Sequence, residues 1–223
     1  MNAHEAARLI DISAVRTPHN IIDIMEVVEV AKKYRFINVH ALPCWVKDLS
    51  QLLKDEPDIY VGAPVGFPSG AHRTEVKLLE AKYLVEDGAQ EIDIVMNIGK
   101  LKNKEYDYVL NELKLIIDSM PDDVLKKVII EMNCLTDEEV KKACELVMES
   151  GADFIKTGTG WVPGRVNLER VKMIKDMTHG KIKLKVAGGI RTREEFLKMV
   201  AMGVERFGIN TQSALEIVSS FED

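Results

Sequence analysis

Short apolar runs alternate with amphipathic stretches along this 223-residue chain, and that alternation restricts the fold more than any other feature. The apolar runs predict strands near 9–12, 36–40, 60–65, 91–95, 127–131, 153–156, 182–186 and 206–210. Helical periodicity predicts helices near 21–34, 73–88, 105–118, 136–150, 166–177 and 192–202, with a weaker pattern after Trp45. Strands separated by helices need crossover connections, so the sheet should be parallel. Eight such units with no linker or low-complexity tract between them predict an α/β architecture, a (β/α)8 TIM barrel forming a single domain over 1–223. A doubly wound open sheet is the alternative the same pattern allows. Helix punctuation agrees: Thr136 and Glu139 form a capping-box signature, and Gly151 and Gly203 follow predicted helix ends, where left-handed backbone is common.

Composition narrows the function classes. A formal charge of −6 argues against a broad nucleic-acid surface, which needs clustered cations. The apolar runs, such as Val-Ile-Ile near residue 129, are far shorter than the roughly 20 residues of a membrane span. The opening Met-Asn-Ala-His-Glu-Ala-Ala-Arg has no basic-then-apolar secretory pattern, so a cytoplasmic location is expected. Cys44, Cys134 and Cys144 give an odd count without Cys-x-x-Cys spacing, which predicts neither a disulfide framework nor a zinc site.

In a barrel of this kind, reactive groups project from the C-terminal ends of the strands. Asp11, His40, Asp93, Glu131, Lys156 and Lys185 fall near those positions. Lys156 ends the run Gly-Ala-Asp-Phe-Ile-Lys and opens into Thr-Gly-Thr-Gly-Trp, while Lys185 stands before Val-Ala-Gly-Gly-Ile-Arg. Alternation along the strand puts Lys183 and Lys185 on one face, predicted to point into the barrel. Lys156 and Lys185 could simply neutralise barrel carboxylates such as Asp93 and Glu131. A lysine amine that is buried beside a second cation is also a nucleophile, because both influences favour its neutral form. Lys156 would then form an iminium with a carbonyl substrate, Lys185 would supply the second charge, and Asp93 would move protons. The glycine turns Gly158, Gly160 and Gly188-Gly189 would let backbone amides approach an anion.

These residues resemble the deoxyribose-phosphate aldolase family. The resemblance rests on Phe-Ile-Lys156-Thr-Gly-Thr-Gly, Lys185-Val-Ala-Gly-Gly-Ile-Arg-Thr, Glu-Ile-Asp93-Ile-Val-Met-Asn-Ile-Gly and Val-Gly-Phe-Pro-Ser-Gly-Ala at 65–71, and it runs in order from Asp11 to about Ser213. It implies a class I aldolase that reversibly cleaves 2-deoxy-D-ribose 5-phosphate to glyceraldehyde 3-phosphate and acetaldehyde, with no metal or cofactor. Lys156 would be the Schiff-base lysine, Lys185 its tuning partner and Asp93 the proton-relay acid. Asp11 would be a substrate-facing aspartate after the first strand, and Thr159, Gly160, Gly188, Gly189, Asn210 and Thr211 would surround the substrate and its phosphate. The implied partner is a small phosphorylated sugar or aldehyde, with no nucleic acid or membrane, and the resemblance implies a homo-oligomer.

Several positions depart from the family pattern, and most bear on substrate recognition. Gly158 replaces a serine, Trp161 occupies a place that can hold a lysine, and Asn210-Thr211 replaces a serine pair. His40 stands in a segment where the family has a cysteine, Asp11 leads into Ile-Ser-Ala, and the ending Phe-Glu-Asp lacks a tyrosine that some members use. Arg165 is either a replacement cation near the phosphate or a solvated residue at a helix start; His40 is either a pocket residue or a satisfied core histidine. Two other functions remain open on sequence: a lysine-enamine aldolase acting on a different aldehyde or ketone, and a non-catalytic barrel that binds a phosphorylated ligand.

Overall fold

Eight parallel strands close into a barrel in chain order, each pairing with the next and β8 returning to β1. The structure is a computed structural model that describes residues 1–221. Its strands are β1 (Ile10–Ala14), β2 (Asn38–Ala41), β3 (Tyr60–Val65), β4 (Glu91–Val95), β5 (Leu125–Ile129), β6 (Phe154–Lys156), β7 (Lys183–Ala187) and β8 (Arg206–Gly208). Closure is the predicted TIM-barrel outcome and excludes the open sheet. The helices are α1 (Ala3–Ala7), α2 (Ile21–Tyr34), α3 (Val46–Leu53), α4 (Thr74–Glu86), α5 (Ile98–Lys102), α6 (Tyr106–Asp118), α7 (Asp137–Glu149), α8 (Leu168–Thr178), α9 (Arg193–Ala201) and α10 (Thr211–Ser219). No helix among the described residues is long and apolar enough to cross a membrane.

Local chemistry explains where helices begin. The Thr136 hydroxyl accepts from Glu139 N while the Glu139 carboxylate accepts from Thr136 N, the predicted capping box of α7. Helices α1 and α5 are too short to display a helical period, and α10 had no sequence expectation; side chains of Asn2, Asn97 and Asn210 accept the first free amides of these three. Strand β5 starts two positions before the expected 127–131, leaving Glu131 outside it in a left-handed conformation (φ 46°) that opens a 3-10 turn at Met132–Cys134. The last two residues of the Phe221-Glu222-Asp223 ending lie outside the described residues.

Strand alternation separates two kinds of interior. Ile10, Ile12, Val39, Ile92, Ile94, Val128, Ile155, Val186 and Phe207 belong to one buried apolar cluster with helix residues such as Ile24, Leu113, Val147 and Phe196. Full burial of such a side chain contributes about 1.5–3 kcal/mol, so the strand-helix layer drives the fold. The other face of the strands carries charge instead. Asp11, Glu91, Asp93, Lys127, Lys185 and Arg206 are all at most 7% exposed and bond to one another across the barrel.

Candidate active site

The pairing register brings the charged residues to one place. Lys156 lies beside Lys185, Asp93 beside Lys127, and Lys185 beside Arg206 on neighbouring strands. Lys156 Nζ donates to Asp93 Oδ2 at 2.6 Å, and Lys185 Nζ donates to the same oxygen at 2.8 Å. Lys185 also pairs with Asp11, and Lys127 with both Glu91 and Asp93. Arg206 completes the lower part, reaching Asp11 Oδ1 at 2.7 Å and Glu91 Oε1 at 3.1 Å.

Three sequence expectations change here. Asp11 is not beyond the first strand; it is the second residue of β1, because that strand runs on to Ala14, and its carboxylate is committed to Lys185 and Arg206. It still borders the cavity from below. Glu131 does not pair with either lysine: its carboxylate accepts from the Thr159 amide at 3.3 Å and from the Thr159 hydroxyl. That hydroxyl in turn accepts from Trp161 N at 3.0 Å, so Thr159 fixes the shape of its own loop. Gly158 is what admits the carboxylate, since a Cβ there would lie 2.8 Å from Glu131 Oε1. Lys183, expected on the inward row, is exposed at the start of β7 with Nζ 5.5 Å from the Phe154 ring centroid.

Burial and charge set the protonation states. Burial lowers the Lys156 pKa to about 8; Asp93 opposes the shift while Lys185 and Lys127 add to it. Three acids and four bases fill the interior, so neutral Lys156 leaves it balanced. Burial also opposes the Asp93 carboxylate, but the charges of His40, Lys127, Lys156 and Lys185 outweigh it and hold that carboxyl well below its usual range. For Asp11 the same opposition from burial is overcome by Arg206, Lys185 and Lys127.

His40 is both a buried histidine and a wall of the cavity. Burial pushes its pKa down to about 4, with Lys185 and Lys127 assisting against the pull of Asp93. An unfolded imidazole takes its proton near 6.5, so between about 6.5 and 4 the unfolded chain binds more protons and stability falls as pH drops. Above that window the contribution is fully present; across it about 3 kcal/mol is lost. Urea unfolding of wild type and His40→Asn between pH 7 and 4 should show this slope in wild type and its absence in the variant.

Above the lysines lies a cavity of about 740 Å³ at the C-terminal end of the strands. Lys156, Lys185, Asp11 and His40 border it, as do Thr159, Gly160, Gly188, Gly189, Asn210 and Thr211. Gly188 and Gly189 turn with φ of 108° and 80°, a region closed to most side-chain-bearing residues. The Asn210 side chain is used as the cap of α10, accepting from Ser213 N at 3.0 Å. Thr211 Oγ1 beside it is buried with no protein partner. Arg191, which sequence reasoning passed over, also lines the cavity, and its position after the Gly-Gly turn could have flagged it. Arg165 instead points away to Glu195 and is exposed, the solvated alternative.

Aromatic groups form the roof. The Trp161 indole N–H donates to Val15 O at 3.1 Å, and its ring meets Phe67 edge to face at 5.7 Å between centroids. Arg16 lies over the indole at 5.5 Å and donates to Gly160 O at 3.0 Å. A buried amine on a carboxylate with a second ammonium beside it, beneath a cavity with glycine turns and an unpaired hydroxyl at one end, can bind a carbonyl compound that carries an anion.

The family model described as DeoC/LacD family aldolase matches residues 16–211. A deoxyribose-phosphate aldolase of Sinorhizobium medicae is 46% identical over 96% of this chain and 86% of its own. The structure of QR15, an aldolase, aligns with a TM-score of 0.91 at 38% identity, covering 98% of this chain and 96% of that one. A deoxyribose phosphate aldolase of Aeropyrum pernix, described as having a unique tetrameric structure, shares the fold with a TM-score of 0.90 at 24% identity, covering 100% and 93%.

Proposed function

The chain belongs to the DeoC/LacD family of aldolases and is an aldehyde-lyase, and from that premise we propose that it reversibly cleaves 2-deoxy-D-ribose 5-phosphate through a Schiff base on Lys156. The products are glyceraldehyde 3-phosphate and acetaldehyde. The observation that carries the reading is the shared oxygen of Asp93, bonded by Lys156 at 2.6 Å and Lys185 at 2.8 Å, the two lysines lining the cavity with Asp93 buried behind them. With a pKa of about 8, roughly a tenth of Lys156 is neutral at pH 7, against a few in ten thousand for an ordinary lysine.

The neutral amine attacks the sugar's aldehyde carbon, and loss of water gives a cationic iminium. Asp93, held by Lys185, carries protons to and from the reacting atoms. The bond between the second and third carbons then breaks, its electron pair forms the enamine double bond as the iminium electrons flow to the cationic nitrogen, and the hydroxyl on the third carbon gives up its proton. At the far end, Gly188 and Gly189 present backbone, Thr211 its unpaired hydroxyl and Arg191 a cation to the phosphate. Asp11 holds Lys185 and Arg206 in place, and Thr159 shapes the loop beside Gly160. Family membership sets aside the non-catalytic alternative. Trp161 in the roof favours one second reading, the same chemistry on a carbonyl compound with a different far end. We read the enzyme as a cytoplasmic homo-oligomer; the tetrameric Aeropyrum relative and the exposed Val76, Leu79 and Tyr83 of α4 support assembly.

Trapping tests the reading. Incubation with acetaldehyde, or with deoxyribose 5-phosphate, followed by borohydride and peptide mass mapping should place the adduct on Lys156. Adduct formation should rise as pH increases to about 8 and flatten above, because only the amine free of its proton attacks. No adduct on Lys156 with any carbonyl compound would sink the proposal. An acetaldehyde adduct without cleavage of the phosphosugar would select the second reading.

A further inference from the structure

The hydrogen bonds around His40 fix which of its nitrogens carries the proton. Asn38 Nδ2 donates to Glu91 Oε2 at 2.9 Å, which turns Asn38 Oδ1 toward His40 Nδ1. The opposite amide orientation would aim its oxygen at a carboxylate. Asn38 Oδ1 can only accept, so Nδ1 is the protonated nitrogen and the neutral ring leaves Nε2 bare. That bare nitrogen lies 3.2 Å from Asp93 Oδ2 and has no hydrogen-bond donor. Two acceptors therefore face each other across a gap that one proton would bridge. Gly62 makes the arrangement fit, because a Cβ there would lie 2.3 Å from the imidazole.

The oxygen facing Nε2 is the one that Lys156 and Lys185 share. We propose that His40 is a positioning residue of the proton relay, forming with Asp93 a two-site seat for the proton that the substrate hydroxyl releases. The proposal rests on the Schiff-base reading above and adds the destination of the proton. As the bond between the second and third carbons breaks, its electrons convert the cationic iminium to a neutral enamine. The third carbon becomes a carbonyl, and its hydroxyl proton passes through Asp93 Oδ2 toward His40 Nε2. One positive charge disappears at residue 156 and one appears on the pair, so the interior's total is unchanged. Protonation of the enamine carbon reverses the shift and restores the iminium, ready for hydrolysis to acetaldehyde.

Charged groups on β1, β4, β5, β6 and β7 set this balance, while β3 faces the ring with Gly62. Lys127, Lys156 and Lys185 disfavour a proton on His40, Asp93 and Asp11 favour it, and Glu91 acts through Asn38. With all three lysines charged the ring is neutral, its pKa being about 4. Loss of the charge at residue 156 removes one of the cations on the Asp93 oxygen, which is when the pair can accept a proton.

His40→Asn keeps an N–H near the position of Nδ1 and removes Nε2. Wild type in D2O should exchange the methyl protons of acetaldehyde, since that exchange passes through the enamine. The variant should exchange about 10- to 100-fold more slowly, while borohydride still traps acetaldehyde on Lys156 to the wild-type yield. Exchange at the wild-type rate, or loss of trapping and exchange together, overturns the relay role. Failure of wild type itself to trap acetaldehyde would instead overturn the Schiff-base reading. A second measurement does not need the His40 variant to fold: nitrogen NMR of histidine-labelled protein should find His40 Nε2 bare at neutral pH. In Lys156→Met the ring should titrate at least about one pH unit higher than in wild type. A proton on Nε2 in the resting enzyme, or an unmoved titration, overturns the proposal.

Discussion

Lys156→Ala should remove turnover of deoxyribose 5-phosphate, a fall of about 10⁴-fold or more in kcat, measured by coupled assay of the released aldehyde. No other amine can substitute, since Lys185 is held between Asp11 and Asp93 and Lys127 between Glu91 and Asp93. Lys156→Arg should fail to the same extent although it keeps the charge, because a guanidinium stays protonated and offers no nucleophilic lone pair. The two variants together separate the contributions. If the residue served only to neutralise Asp93, arginine would retain much of the activity. Equal loss in both assigns the effect to the amine.

The second large effect is on stability. Arg206→Met keeps much of the side-chain volume but leaves Asp11 and Glu91 without their guanidinium, and both carboxylates are nearly inaccessible to water. Breaking a buried ion pair by removing one partner costs about 3–5 kcal/mol. For a chain of this size that is a fall in Tm of roughly 6–20 °C, readable by calorimetry together with urea unfolding. Glu91→Gln added to Arg206→Met should cost less than the sum of the two single changes, because it removes one of the two carboxylates that have lost the guanidinium. A loss below 1 kcal/mol in Arg206→Met would show that water or the lysines already paired with them, Lys127 on Glu91 and Lys185 on Asp11, compensate for the lost guanidinium.

Much of this was legible in the sequence because periodicity reports burial. The alternating runs place the eight strands to within a few residues, and the α2 boundaries match the predicted 21–34. Lys156 and Lys185 stand out because each interrupts an apolar strand just before a glycine turn. Other parts depend on register, which a single strand does not carry. That Asp11 lies below the cavity follows from where β1 ends, and that Glu131 serves Thr159 follows from the left-handed turn after β5. Glu91, Lys127 and Arg206 were passed over for a related reason: in sequence they look like the polar flanks of strands, and only closure shows that they face one another. Asn38 carries no signal by itself, and its effect on the His40 tautomer exists only once Glu91 sits behind it.

Trp161 joins parts of the chain that are far apart in sequence. Its contacts to Val15, Phe67 and, through Arg16, to Gly160 knot together the loops that follow β1, β3 and β6, which are not neighbours around the barrel. The rim above the lysines is therefore a cooperative unit: no one of these loops can swing outward without giving up contacts to the other two.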